Sequence, residues 1–374
     1  MTPMHVLVTG GAGFVGSHLV DALVAAGHRV RILDSLDPQV HPEGALPDYL
    51  NSAAEFIRGD VREREAVREA LRDVDAVVHL AAAVGVGQSM YDVARYVDVN
   101  SLGGALLLDL LANEKHTVGR MLVASSMSCY GEGKYACDAC GPIFPKLRPA
   151  AQLAARDWEM HCPACGKPAR PVPTDEEKPL FPTSIYAITK RDHEEMFLSV
   201  GRAYGIKTTA LRFFNIYGPR QALSNPYTGV AAIFSSRLLN GRPPLIFEDG
   251  RQSRDFIHVS DVVSAMQTAL DADNVDGEVL NVGTGRALSV LELCGLLADK
   301  LGSGEKPEIE NRFREGDIRH CYADVEKIRR LLGWSPRIGF EEGVGDLVGW
   351  VRTQLASDAV PRAKEELERR GLTK

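Results

Sequence analysis

The apolar run His5–Thr9 leads directly into Gly10-Gly-Ala-Gly-Phe-Val-Gly16. Ser17–Ala26 follows, with Leu19, Leu23 and Val24 on one helical stripe before Gly27 stops it. A strand that turns through glycines into a helix is a strong constraint, because the next strand then returns parallel through a right-handed crossover. The theme recurs. Val30–Leu33, Glu55–Arg58, Asp75–Ala81, Met121–Ser125 and Thr208–Phe213 read as further strands. Helical stretches separate most of them, notably Val99–Asn113 and Ser184–Tyr204. The expected fold is α/β, a doubly wound parallel sheet with helices on both faces.

Two segments interrupt the alternation. Leu36–Leu50 holds Pro38, Pro42, Gly44 and Pro47 and reads as a surface loop. Gly131–Pro182 is rich in proline, holds four of the seven cysteines and reads as an insertion with its own small core. Beyond Phe214 the pattern shifts to turns, short strands and short helices. The expected layout is a sheet domain over 1–213, interrupted by the insertion at 132–178. A smaller α/β substrate domain follows over 214–374, of which about 250–268 packs back on the sheet domain. Arg362–Arg370 reads as a solvated, charged helical tail.

Lys and Arg total 43 and Asp and Glu 50, a formal net charge of −7. That argues against nucleic acid or an anionic membrane surface as partner, while leaving room for a local anion pocket. No apolar run reaches the ~18–20 residues needed to span a bilayer. The first strand begins at His5, which leaves no room for a signal peptide, so a cytoplasmic location is expected. Seven cysteines, four of them in two C-x-x-C pairs, suit a reducing compartment and a metal better than disulfides.

Gly10, Gly13 and Gly16 form G-x-x-G-x-x-G, with Phe14 and Val15 opening the helix. Such glycines let the backbone approach a pyrophosphate, which then meets the positive end of the helix. Asp34 ends the second strand 18 residues past Gly16, close to the ~20 expected of the residue that holds the adenosine ribose. A carboxylate there repels a 2′-phosphate and no arginine follows it, so NAD is expected rather than NADP. Asp60 and Val61 are placed to meet the adenine, and Leu80, Ala81 and Ala82 offer small side chains beside the cofactor. These five positions read equally well as ordinary strand ends.

Tyr186 and Lys190 stand four residues apart, on one face of a helix. An ammonium beside a phenol stabilises phenolate and lowers its pKa. That fits Tyr186 as general base toward a sugar or alcohol hydroxyl. Ser125-Ser-Met-Ser128 ends the fifth strand, at the carboxyl edge where such sheets bind ligands.

These segments occur in one order with Leu211-Arg-Phe-Phe-Asn-Ile-Tyr-Gly-Pro-Arg220, Arg254-Asp-Phe-Ile-His-Val-Ser-Asp261 and Asn281-Val-Gly-Thr-Gly285. Together they resemble the extended short-chain dehydrogenase/reductase family, over nearly the whole chain outside the insertion. Members with this C-terminal set are nucleotide-sugar epimerases, dehydratases and decarboxylases. The resemblance implies a Rossmann-type sheet and a role for each matching residue. Tyr186 is the implied base. Lys190 is implied to bind the nicotinamide ribose and tune Tyr186. Ser126, with Ser128, is implied to face the reacting hydroxyl. Asn100 and Ser125 are implied cofactor contacts, and Asn215 the implied contact to the substrate phosphate. Arg254, and Arg314 with Asp317 in Arg-Glu-Gly-Asp317, are implied to hold the diphosphate and nucleotide, which suits the planar guanidinium fork. A homodimer through the helices near Val99–Asn113 and Ser184–Tyr204 is implied as well.

Positions 126–128 narrow the reaction. Dehydratases of this kind resemble one another in having Thr-Asp-Glu there, and decarboxylases keep the Glu. Ser126-Met-Ser128 offers no acid–base pair for elimination at C5 and C6. What remains is chemistry at one carbon. Tyr186 takes the hydroxyl proton, the hydride goes to NAD, the 4-keto sugar turns over, and the hydride returns to the opposite face. That is 4-epimerisation of a nucleotide-diphospho-sugar. His79–Ser89 and the Asp37–His41 loop are similar to epimerases of dTDP-6-deoxy sugars, so the expected substrate is one such as dTDP-L-rhamnose, or a UDP-hexose. The alternatives are a nucleotide-sugar 4-ketoreductase, dehydrogenase or dehydratase. An NAD-sensing regulator is the distant one, and with six basic against five acidic side chains in 132–175, no basic patch supports it.

Within the insertion, Cys137-Asp-Ala-Cys140 and Cys162-Pro-Ala-Cys165 are separated by 21 residues. Two such knuckles can supply four thiolates to a tetrahedral zinc, with Gly141 and Gly166 allowing the turns. Four protein ligands close the site, so the zinc is expected to be structural; an iron–sulfur cluster or redox disulfides are the other readings. The insertion joins the Ser126 strand to the Tyr186 helix. It either shapes the active-site mouth or only decorates the surface.

Overall fold

The computed structural model describes residues 3–222, 229–354 and 360–374. Its centre is a seven-stranded sheet. The first five strands in chain order are β1 (His5–Thr9), β2 (Arg29–Asp34), β3 (Glu55–Arg58), β4 (Ala76–His79) and β5 (Arg120–Ser126). The insertion contributes β6 (Lys134–Cys137), β7 (Gly141–Ile143) and β8 (Arg170–Val172), and the sheet resumes with β9 (Lys207–Phe213) and β10 (Val279–Val282). Across the sheet the order is β3-β2-β1-β4-β5-β9-β10, and every pairing is parallel. The chain winds outward from β1 to β3 on one side and from β4 to β10 on the other. The crevice between the carboxyl ends of β1 and β4 is therefore the switch point where such sheets take ligands.

Buried Val, Leu and Ile on both faces of the strands explain why they read as continuous apolar runs rather than as alternation. One face is covered by α1 (Phe14–Ala25) and helix Val259–Asp271, around Val8, Leu19, Leu23, Ile32 and Met266. The other is covered by α2 (Arg64–Ala70), α3 (Gly103–Asn113) and α4 (Ile185–Tyr204), around Leu7, Val77, Leu107, Met121 and Phe197. The helix expected over Val99–Asn113 is regular only from Gly103, since Val97–Leu102 forms a π-helical turn. A Cβ at Gly103 would lie 2.7 Å from a methyl of Val61, so glycine is what lets α3 seat there.

The seventh strand, Val279–Val282, pairs with β9 although it comes from the stretch read as small-domain text. It is four residues long with no helix directly attached to mark it. A separate core beyond the sheet gathers Tyr217, Phe234, Phe256, Leu293, Phe340 and Leu347. The insertion folds as a three-stranded antiparallel sheet in the order β7-β6-β8, over a small core that includes Tyr135, Ile143 and Met160. Among the described residues no helix is long and apolar enough to cross a membrane.

Candidate active site

The glycine turn sits at the switch point. Gly10 has φ +71°, and a Cβ on it would lie 2.8 Å from the Ala81 nitrogen. A Cβ on Gly16 would lie 2.2 Å from the Gly10 carbonyl oxygen, so α1 can approach the turn only without a side chain. Gly13 differs. Its φ is ordinary and its Cβ would meet nothing nearer than 3.3 Å, so the fold itself does not demand glycine there. That leaves clear space over the first turn of α1, which carries no acidic residue and no side-chain cap. Free N–H groups and open space at a helix N-terminus suit a phosphate. The Asp34 carboxylate accepts from the Ala12 and Leu36 N–H groups at 3.0 and 2.9 Å, bracing the turn from the end of β2. Asp60, half-buried, is held by the Arg62 guanidinium at 2.9 and 2.7 Å, and Val61 is buried.

The end of β5 at Ser126 and the 3-10 turn Met127–Tyr130 that follows it sort Ser125 to Ser128. Ser125 and Met127 turn inward, while Ser126 and Ser128 remain half-exposed. The Ser128 hydroxyl donates to Ser126 Oγ at 2.9 Å. The Ser126 hydroxyl is near enough to the Tyr186 phenol to favour its ionised form. Ser184 caps α4 through the Ala187 N–H, which fixes Tyr186 in the first turn. Lys190, one turn on, is buried and donates to the Ala124 carbonyl at 2.9 Å.

The electrostatics correct one expectation. The phenol of Tyr186 is pushed up to about 12 by burial, with the Ser126 hydroxyl pulling the other way. Lys190 is itself pushed down to about 8 by burial. The lysine does not set the tyrosine's acidity in this arrangement, because desolvation penalises both charged forms.

Two implied cofactor contacts also take other roles. Asn100 is fully buried in the protein alone, so no surface of it is left for a cofactor. Its amide accepts from the Ala83 N–H at 2.7 Å and donates to the Ala83 carbonyl and to Thr189, tying the loop after β4 to α4. The Ser125 hydroxyl points away from the cleft and donates to Glu194 at 2.7 Å.

Behind the cleft lies a buried polar chain that periodicity concealed. Glu194 on α4 grips Arg212 on β9 at 2.6 and 2.9 Å. Arg212 donates to the Tyr130 hydroxyl, which donates to Asn281 on β10 at 2.7 Å. His79, buried and held neutral to about 3, stacks on Phe197 and bonds Thr9. The available signal was an arginine inside the apolar run Thr-Ala-Leu-Arg-Phe-Phe, since a charge at a buried strand position needs a partner.

The proposed substrate side chains all come from the C-terminal half. Asn215 follows β9, and its amide oxygen is buried without a hydrogen-bond partner. Arg254 hangs from the carbonyls of Ser253, Ile318 and Arg319 at 2.7–2.9 Å. Arg314 lies over Phe247 and pairs with Asp317 at 2.8 Å.

In the insertion, the four sulfurs of Cys137, Cys140, Cys162 and Cys165 lie within 4.8 Å of one another, the first and last 3.6 Å apart. A tetrahedron built on ~2.3 Å zinc–sulfur bonds has edges of about 3.8 Å, so the donor set fits such an ion. Gly141 and Gly166 have φ of +77° and +71°, as the knuckle turns require. All seven cysteines are unpaired.

Comparison with known proteins agrees with this geometry. Residues 6–149 match the NAD dependent epimerase/dehydratase family, and residues 165–347 the family described as GDP-mannose 4,6 dehydratase. The chain is 34% identical over 352 residues to the dTDP-L-rhamnose 4-epimerase of Burkholderia thailandensis, covering 94% of this chain and 95% of that protein. The structure of UDP-glucose 4-epimerase from Thermotoga maritima with UDP-glucose aligns with a TM-score of 0.77 and 32% identity, covering 94% and 99% of the two chains. That of the UDP-glucose 4-epimerase from Thermus thermophilus in complex with NAD gives 0.74 and 30%, covering 94% and 100%. The likeness thus extends over nearly the whole chain, and the chain belongs to the NAD-dependent epimerase/dehydratase family.

Proposed function

We propose that the protein is an NAD-dependent 4-epimerase of nucleoside-diphosphate sugars. The carrying observation is the hydroxyl-only face beside Tyr186. Ser126 and Ser128 are bonded to each other, Met127 is turned inward, and no carboxylate stands in that triplet. Such a set can move one proton on one hydroxyl, and it lacks the separate acid and base that loss of water needs. Tyr186 takes the proton of the sugar 4-hydroxyl and later returns it, while Ser126 holds the reacting oxygen. Bound NAD supplies a reversible two-electron acceptor and a positive charge.

Gly10, Gly13, Phe14, Val15 and Gly16 would seat the NAD pyrophosphate at the N-terminus of α1. Asp34 would take the adenosine ribose, and Asp60 with Val61 the adenine. Leu80, Ala81 and Ala82 would flank the cofactor, and Lys190 would meet the nicotinamide ribose. Asn215, Arg254, Arg314 and Asp317 would hold the nucleoside diphosphate. The orphaned Asn215 oxygen and a guanidinium bound only by carbonyls both favour this.

For the sugar, the reading is a dTDP-6-deoxy-sugar such as dTDP-L-rhamnose, or a UDP-hexose. The Burkholderia relative bears the first name and the Thermotoga structure holds UDP-glucose. The four-cysteine site is read as structural zinc, and the unpaired cysteines as those of a cytoplasmic protein. Val97 and Leu102, before α3, and Ile188 on α4 are exposed apolar residues, read here as the interface of a homodimer.

The test is to incubate the purified protein, without added NAD, with a panel of dTDP-, UDP- and GDP-sugars and to read stereochemistry by NMR. Inversion at C4 with no net reduction is expected. A dehydrated or oxidised product, or a requirement for stoichiometric cofactor, would overturn the reading.

A further inference from the structure

The insertion does not stand apart from the cleft. At its neck, the Gly133 N–H donates to the His320 carbonyl at 2.9 Å, and Thr174 exchanges backbone bonds with Tyr322 and Asp324 at 2.8 and 2.9 Å. The Glu132 carboxylate accepts from the Arg319 N–H at 2.8 Å. Farther in, Arg148 is buried and grips both oxygens of Glu248, at 2.7 and 3.1 Å. Glu159, only two residues before the knuckle segment that begins at His161, binds the Arg319 guanidinium at 2.6 Å and His320 at 3.2 Å. Arg319 is wholly buried and is also held by Glu248 and Asp249.

The same short segment carries the proposed phosphate contacts. Arg254 is fastened by the carbonyls of Ile318 and Arg319. Arg314 pairs with Asp317, whose carbonyl lies 3.4 Å from Arg148. The Gly316 carbonyl accepts from Thr183, three residues before Tyr186. Residues 314–320 are thus clamped by the insertion on one side, while they carry Arg314 and fasten Arg254, the two proposed diphosphate contacts.

What holds the clamp rigid is small. The insertion's own core is six buried residues, and two of them are Cys137 and Cys162. A core of that size does not keep a module folded without a staple, and four converging thiolates are the staple at hand. If the module loosens, Glu159 and Arg148 leave, and Arg319 and Glu248 keep buried charges with fewer partners. A segment in that condition relaxes toward water, because an orphaned buried charge is strongly unfavourable.

We propose that metal at the four-cysteine site governs affinity for the nucleoside diphosphate through the Arg319 clamp, leaving the NAD half of the cleft untouched. This rests on the nucleotide-sugar reading above. The insertion is then a working wall of the substrate site rather than surface decoration.

The test uses the full-length holoenzyme. Metal per chain is measured by elemental analysis, NAD per chain by absorbance after denaturation, and binding of dTDP and UDP by calorimetry. Cys140→Ser alters an exposed ligand and should lose the metal, with the Kd of the better-bound diphosphate rising about tenfold, inside the roughly 5–150-fold range of coupling between two sites. NAD content should stay at the wild-type value, and far-ultraviolet circular dichroism should change by no more than the insertion's three short strands and one short helix contribute. Glu159→Gln should keep the metal yet raise the Kd, and should add little in the Cys140→Ser background. A metal-free protein with wild-type Kd, a wild type that binds diphosphate but holds no metal, or parallel loss of NAD would each overturn the coupling. Binding of neither dTDP nor UDP by the wild type would instead overturn the nucleotide-sugar reading, and the coupling with it.

Discussion

The Lys190 ammonium donates to the Ala124 carbonyl at 2.9 Å, at the point where β5 meets α4, one helical turn beyond Tyr186. One carbonyl is thin solvation for a buried cation, and burial pushes the group down to about 8. The unfolded chain keeps this proton until its ordinary 10.5, so between about 8 and 10.5 the unfolded state binds more protons and stability rises with pH. Below pH 8 the charged lysine destabilises the fold by on the order of 3 kcal/mol. Lys190→Met should therefore melt higher than wild type at pH 7 in cofactor-stripped protein, and the gap should close by pH 10.5. A constant gap across that range, read by thermal melts, would remove Lys190 as its source.

Tyr186 stands in the opposite relation to its surroundings. With the phenol pushed up to about 12, turnover should climb with pH through the neutral range rather than level off at 7. Tyr186→Phe removes only the hydroxyl, in a helix capped by Ser184, so the protein should fold and retain NAD. Its kcat should drop about 10²–10⁴-fold, the usual share of a positioned general base. Turnover within a few-fold of wild type would relieve Tyr186 of the role.

Much of this was legible in the sequence for one physical reason. The sheet is buried on both faces, so its strands are short apolar runs, and Val30–Leu33, Glu55–Arg58 and Thr208–Phe213 lie within a residue of the observed strands. The proposed catalytic serine, tyrosine and lysine could be picked out because they stand on one strand end and one helix, with Tyr186 and Lys190 four residues apart. The rest depends on pairings that no local window contains. Glu194 and Arg212 are 18 residues apart and meet only once α4 packs across β9. Arg319 binds Glu159 from 160 residues away. The shift at Tyr186 also came out against expectation, since an i,i+4 spacing states proximity and says nothing of desolvation. Asn100 misled for a related reason: the family resemblance placed it near the cofactor, but it is buried with its amide bonded to Ala83.

Gly13 and Gly16 separate cofactor binding from folding. A methyl at Gly16 collides with the Gly10 carbonyl at 2.2 Å, whereas one at Gly13 meets only that same oxygen at 3.3 Å. Gly16→Ala should unsettle the turn and lower both melting temperature and NAD content. Gly13→Ala should cost about 1 kcal/mol or less of stability, as expected for alanine at a helix N-cap. It should nonetheless lose most of its NAD, because the methyl occupies the approach to the α1 amides. Equal NAD content in Gly13→Ala and wild type, with both folded, would place the pyrophosphate elsewhere.

The C-terminal helix Val360–Arg369 is not the solvated tail its charge implied. Leu367 is buried over Gly87, and the Arg370 guanidinium lies 4.4 Å above the Tyr91 ring, both in the segment after β4. Beyond the helix, Lys374 and Phe313 exchange backbone hydrogen bonds at 2.9 and 3.0 Å, and the Glu315 N–H bonds the Leu372 carbonyl at 3.0 Å. Arg314 sits between those two paired residues. The segment thus joins the loop after β4 to the stretch that carries Arg314, linking regions proposed to meet the cofactor and the nucleotide. Removing residues 360–374 frees that stretch while leaving the α1 turn and Tyr186 as they are. The truncated protein should keep its NAD and most of its kcat, and its KM for the nucleotide sugar should rise about tenfold, equivalent to ~1.4 kcal/mol. Steady-state kinetics with an unchanged KM would show that Arg314 holds its place without the strap.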